Sequence, residues 1–185
     1  MKRAAHRLPR HFLGNERAIA AVEFAIILPL MLFIFVGVAQ VGQAIEISRK
    51  VTVTTRVVTD LVTQYSTVSC SALNVVLAAS AQVIAPYSAT NLAITVSEIS
   101  TDSKGNATVA WTSSLNSTTS TCSRPGSKFT LPSALDQDSI SLIYGQVTYS
   151  FTPVLGYKII GTIPISDQIY MSPRLTNSIA YTGAS

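Results

Sequence analysis

"AIAAVEFAIILPLMLFIFVGVA", residues 18 to 39, is apolar at almost every position, yet it holds a glutamate, Glu23, six residues in. The run of 22 residues is long enough to cross a bilayer as one helix. A carboxylate inside such a run is costly, and charges at membrane depth occur mainly where they are paired. The flanks supply an orientation. Lys2, Arg3, Arg7, Arg10 and Arg17 stand before the run, while Arg49 and Lys50 follow it. Basic residues hold their end of a span in the cytoplasm, so the N-terminus is expected inside and the body outside.

With 185 residues, the chain has room for one ordinary domain beside the span. The formal charge of +4 misleads, because the excess sits in the head: from Ile19 onward there are eight basic and eight acidic residues. A nucleic-acid binder carries its basic patch on the folded part, so no nucleic-acid partner is expected. An exported body lies in an oxidising compartment, and Cys70 and Cys122 are its two cysteines. They read as a disulfide or as two free buried thiols. Closing a loop of about fifty residues is worth about 4 kcal/mol in the chain-entropy account.

A cleaved secretory signal has a shorter apolar core followed by small-x-small, and Gly37-Val38-Ala39 and Gly42-Gln43-Ala44 would both serve. The length of the core, the long head and Glu23 argue for a retained helix instead. A cut just before the run would place a new ammonium group little more than one turn from Glu23, able to neutralise a glutamate on a neighbouring helix. The other reading is a glutamate near the interface that snorkels to headgroups alone.

"AVEFAIILPL" (Ala21 to Leu30) resembles the N-terminal signature of the TadE/TadG family, the pilin-like proteins of tight-adherence (Flp-type IV) pilus systems. In that family a basic leader ends in a small residue, usually glycine, where a membrane-embedded prepilin peptidase cuts. The fifth mature residue is glutamate, often followed by an aromatic. By that resemblance the cut falls between Ala18 and Ile19, with Glu23 fifth and Phe24 the aromatic. Ala18 departs from the usual glycine, and a cut after Gly14 would put Glu23 ninth. "SRKVTVTTRVVTDLVTQ" (Ser48 to Gln64) and "VTYSFTPVLG…ISDQIYMSPR" (Val147 to Arg174) are similar to later parts of longer members. The resemblance implies a minor pilin-like subunit (a pseudopilin) or assembly factor of an adhesion pilus. Its implied setting is the bacterial inner membrane, single-pass, with a periplasmic domain and possible entry into the fibre. The implied partners are the prepilin peptidase, other pilin-like subunits, the assembly platform and membrane lipid, with no cofactor.

Beyond the span, Ile47, Val51, Thr54, Val58, Leu61 and Tyr65 recur in steps of three and four, one face of a continuing helix. Pro29 lies inside the span and removes one backbone donor, so a bend or local break is expected there. A second helix is expected across "SALNVVLAASAQVIAPY", ending at Pro86. From Leu92 the period becomes two, through Ile94 and Val96, and "DSKGN" (Asp102 to Asn106) is a turn with Thr108 to Thr112 as its hairpin partner. Thr112 to Ser123 reads as a Ser/Thr-rich loop. Strands are expected within Ser139 to Thr152 and Ile163 to Met171, the last at a sheet edge because of Pro164. The expected fold is α+β, a long N-terminal transmembrane helix continuing into a small antiparallel-sheet domain with one or two packing helices. The divisions are a leader to residue 18, the span 19–40, a helical stalk 41–66 and the exported domain 67–185.

No catalytic constellation is visible. Both histidines, His6 and His11, lie in the head, away from any exported site. Asp136 and Asp138 alternate in a polar turn, and Asp102 with Asn106 lacks EF-hand spacing. Asn106 and Asn116 begin formal glycosylation sequons, which occur often by chance. No metal site and no enzymatic activity are expected.

Overall fold

The computed structural model describes residues 16–135, 137–154, 158 and 161–183, with the backbone alone at 16–18. Two compact units divide at Gly42 and Gln43. The fold class is the expected one: a long N-terminal apolar helix, then a five-stranded antiparallel sheet with a short helix.

Among the described residues, the first unit consists of the N-terminal part of α1, the helix Glu16–Thr63. The helix passes through Pro29 without interruption, so a break at that residue does not occur. One missing donor and one crowded carbonyl can be absorbed by local adjustment of an otherwise fully hydrogen-bonded helix.

The second unit begins with the C-terminal turns of α1, which bury Ile47, Val51, Thr54, Thr55, Val58, Thr59, Val62 and Thr63. The expected face is therefore corrected at its end: Leu61 and Tyr65 are exposed, and Val62 faces the core. The stripe follows steps of four (47, 51, 55, 59, 63), and such steps drift around a 3.6-residue helix. Four threonines are fully buried because each satisfies its own hydroxyl within the helix. Thr54 donates to Lys50 O at 2.8 Å, Thr55 to Val51 O at 2.8 Å, Thr59 to Thr55 O at 2.7 Å and Thr63 to Asp60 O at 2.7 Å. This internal bonding removes the cost of an orphaned buried hydroxyl.

α2 spans Cys70–Ala81, capped by Ser69, whose Oγ accepts from Ala72 N at 3.2 Å. It buries Leu73, Val76 and Leu77 and runs into a 3-10 turn at Gln82–Ile84. The sheet is built from β2 (Leu92–Thr101), β3 (Ala107–Asn116), β4 (Thr119–Ser123), β5 (Ser141–Phe151) and β6 (Ile163–Met171), in the order β4-β3-β2-β5-β6. Short β1 (Thr67–Val68) and β7 (Ala180–Tyr181) pair in parallel as a separate ribbon. One face of the sheet packs Leu92, Ile94, Val96, Ile143 and Val147 into a single core with α1 and α2. The other face carries a smaller cluster of Ile99, Ala107, Val109 and Tyr144 under Phe129 and Leu131.

Thr112 to Ser123 is not a loop. β3 continues to Asn116, turns through Ser117 and Thr118, and returns as β4. Ser117 takes the left-handed conformation (φ 58°) that a tight hairpin needs, and Ser114 and Thr121 share a cross-strand hydroxyl bond of 2.7 Å. Threonine suits a pleated surface through its β-branch, so a Ser/Thr run becomes strand once a partner strand is supplied.

Close approach fixes how α1 meets β5. A Cβ added at Gly145 would stand 1.8 Å from Thr59 Oγ1 and 3.1 Å from Thr59 Cβ. Only glycine leaves room there.

Candidate functional site

The candidate site is the exposed apolar part of α1 around Glu23. Ile19, Val22, Phe24, Ile26, Ile27 and Leu30 are all exposed, and the most apolar window of the helix has no buried residue. In length and composition it is the one helix among the described residues able to cross a membrane. A helix so apolar on every side is matched to lipid or to other helices rather than to water. That fits a single-pass membrane protein.

Glu23 lies within this surface and is itself exposed, with no ion-pair partner in its own chain among the described residues. Phe24 is 62% exposed beside it. Ile19 and Glu23 are four residues apart and so share a helix face, separated by about 6 Å along the axis. Ala18 and Ile19 are already helical, since α1 begins at Glu16. The Lys2, Arg3, Arg7, Arg10, His6, His11 and Gly14 head lies outside the described residues, as does Asp136.

Residues 18–58 match the family model described as TadE-like protein. Over this stretch the chain is similar to TadE-like proteins. The match covers Ile19, Glu23, Phe24 and Pro29 and runs on past Val51 into the buried stripe. No curated protein and no solved structure matches the chain.

In the second unit, Cys70 and Cys122 are joined, with an S–S distance of 2.03 Å and a Cα–Cα distance of 5.9 Å. The bond ties the start of α2 to edge strand β4. Asp102 forms a turn rather than a cation cradle: its Oδ1 accepts from the backbone N–H of Lys104 and Asn106, each at 2.8 Å, and Oδ2 from Asn106 Nδ2 at 2.9 Å. These donors, the Asn106 side chain foremost, hold its pKa below the ordinary aspartate value. Asp138 is exposed, and Asn116 is exposed at the end of β3.

One polar cluster escaped the sequence reading. Glu98 on β2 is 2% exposed and accepts three hydrogen bonds. They come from Trp111 Nε1 at 2.5 Å, Ser141 Oγ at 2.5 Å and the Ile179 backbone N–H at 2.9 Å. Trp111 Nε1 also reaches Ile179 O at 3.1 Å, and its ring stacks on Tyr181 at 6.2 Å. A fully bonded buried carboxylate can clamp the C-terminal segment onto the sheet. Further backbone bonds join that segment to the end of α1 and to β1: Arg174 N to Thr63 O at 3.0 Å, and Thr182 N to Val68 O at 2.8 Å. Arg174 also pairs with Asp60. The signal was present in the sequence: Glu98 shares the even parity of buried Leu92, Ile94 and Val96.

Proposed function

We propose that this TadE-like chain is a minor pilin-like subunit or assembly factor of the tight-adherence pilus, made as an inner-membrane precursor with its N-terminus inside. A prepilin peptidase cuts it between Ala18 and Ile19. The role is structural, exerted by helix packing against other pilin-like subunits and the assembly platform, with no catalysis. What carries the reading is that the family match over residues 18–58 coincides with a membrane-length helix bearing Glu23 on a wholly exposed apolar surface.

The physical case rests on what the cut would do. In the uncut chain the helix already extends about two turns ahead of Glu23, back at least to Glu16, which keeps Glu23 beyond the reach of the helix N-terminal dipole. Removal of the leader brings it to little more than one turn from a new ammonium group. That amine on a neighbouring subunit neutralises Glu23, so the carboxylate favours association rather than insertion. Insertion survives its cost, because a carboxylate at depth disfavours it by a few kcal/mol while each of roughly twenty apolar neighbours contributes about −0.3 to −0.6 kcal/mol.

The test uses Glu23→Ala and Glu23→Gln in cells that assemble the pilus. Both variants should enter the membrane at least as well as the unsubstituted chain, but lose co-purification with pilus components and lower pilus formation. Normal assembly of both would sink the pairing role.

One observation favours a second reading, a permanently anchored envelope module that recruits a partner and is never cut. The Ala18–Ile19 bond lies inside regular helix, so a peptidase must first unwind the turn that holds it. Ala18→Lys separates the two readings: it leaves a slower-migrating precursor if the cut occurs and changes nothing if it does not.

A further inference from the structure

The face of the five-stranded sheet turned away from α1 and α2 has an uncommon chemistry. The strand registers align Thr121, Ser114, Thr95, Gln146 and Gln168 in one row across all five strands. The row beside it runs from Thr119 through Asn116 to Ser166, and the row on the other side from Ser123 through Thr112 to Tyr170. None of the three rows holds a charged side chain. Most of these positions are solvent-accessible, and the edge positions Thr121 and Gln168 are exposed. An exposed sheet face usually carries interspersed charges of both signs, and edge strands are usually guarded by them. Here the single acid of β6, Asp167, lies on the other face, opposite Val147.

We propose that this face binds a neutral polysaccharide chain. The face repels no uncharged polymer and offers nothing to a charged one: nucleic acids, anionic lipid and acidic glycans all need basic groups. A protein partner would need an apolar core to its interface, and the rows supply Ala93 alone between the aromatic end and the opposite edge. Hydroxyl and carboxamide groups both donate and accept, as the hydroxyls of a neutral sugar do. The rows set such groups about 4.8 Å apart across the strands and about 6.8 Å apart along them, a regular array for a polymer that repeats its own hydroxyls. Some of these side chains already bond each other, with Ser97 to Thr112 at 2.7 Å and Ser114 to Thr121 at 2.7 Å, which holds them in place before binding.

The row that ends on Tyr170 adds the second element of sugar recognition. Tyr170 and Tyr144 lie 5.1 Å apart, with Phe129 5.3 Å from Tyr144. Tyr170 offers the partly exposed ring, while Tyr144 is buried and packs against it; burial raises the pKa of both tyrosines, so their hydroxyls stay neutral. An aromatic ring with an apolar face and a polar tip covers the C–H side of a sugar ring while its hydroxyl bonds the rim. Tyr144 Oη already donates to Gln168 Oε1 at 3.0 Å, linking the rings to the polar rows. This glycan site neither requires nor excludes the pilus role, and its test uses no pilus component.

The full chain, purified in a detergent without a sugar headgroup, is mixed with insoluble cellulose, insoluble chitin and alginate beads. Retention on cellulose or chitin but not on alginate is expected, unchanged at about 1 M salt, where the Debye length is about 3 Å. Gln146→Lys in the central row and Gln168→Lys at the exposed edge should each lower retention about tenfold or more, since a charge must be desolvated against the polymer. Thr95→Val keeps the strand-forming shape and should lower retention by losing one hydroxyl. Gln168→Lys, at a solvent-exposed edge position, carries the test even if the central variant misfolds. The proposal is overturned by failure to bind both neutral polymers, by elution with salt, or by variants of unchanged circular dichroism that bind like the unsubstituted chain.

Discussion

Gly145→Ala tests the packing that seats α1 on the sheet. The new methyl would stand 1.8 Å from Thr59 Oγ1, 3.1 Å from its Cβ and 3.5 Å from its Cγ2. Something must move. Thr59 is β-branched and held by its bond to Thr55 O at 2.7 Å, so rotating its hydroxyl away breaks that buried bond. The lost bond costs about 1 kcal/mol, and the overpacking that remains costs about 1–3 kcal/mol. Gly145→Ala should therefore destabilise the second unit by about 2–4 kcal/mol. The chain has a single tryptophan, Trp111, buried in that unit, so its fluorescence during denaturant unfolding in detergent reports the change directly. Thr59→Ala removes the clashing oxygen and should recover about half or more of the loss in the Gly145→Ala background, a coupling of about 1–3 kcal/mol. If Gly145→Ala keeps the original unfolding midpoint, or the two changes simply add, the helix does not lie on β5 at that distance.

Three further outcomes follow from the second unit. Glu98→Gln turns one acceptor oxygen into a donor facing Trp111 Nε1 or Ser141 Oγ, and should lower stability by about 2–3 kcal/mol in the same unfolding assay. Cys122→Ser opens a loop with a sequence separation of 52 residues and should cost up to about 4 kcal/mol, while peptide mapping without reduction should show Cys70 linked to Cys122 in the unsubstituted chain. Asp102 titrates below the ordinary aspartate range because Asn106 and the Lys104 backbone stabilise its charged form. Its contribution is therefore complete above that range and fades as pH falls through the lowered value, which an NMR titration of its carboxyl should follow, with Asn106→Ala moving it back up.

Much of the fold was legible because its signals are periodic and long. The apolar run, the α2 segment up to Pro86, the alternation from Leu92 and the edge placement of Pro164 all correspond to elements of the structure. What escaped had shorter or competing signals. β1 and β7 have two residues each, too few for any period to show. Thr112 to Ser123 carried polarity, which suggests a loop, and β-branching, which suggests a strand, and pairing decided between them. The end of the α1 face was misplaced because a step of three to Leu61 and a step of four to Val62 are equally apolar in sequence. Gly145, alone inside a strand pattern, is the sort of glycine that marks a close backbone approach, and Thr59 is what approaches. At the candidate site, Glu23 was legible from composition alone. In the proposed role its partner is a group on another molecule, which neither periodicity nor packing within one chain can supply.

N-terminal sequencing of the chain, recovered from membranes of cells that build the pilus, tests the central claim most directly. Processing between Ala18 and Ile19 predicts a start of Ile-Ala-Ala-Val-Glu, with Glu23 fifth beside a free amine. An intact Met1, or a start at Gln40 or Ile45, would contradict it: the first leaves Glu23 without an adjacent amine, and the others remove Glu23 from the protein altogether.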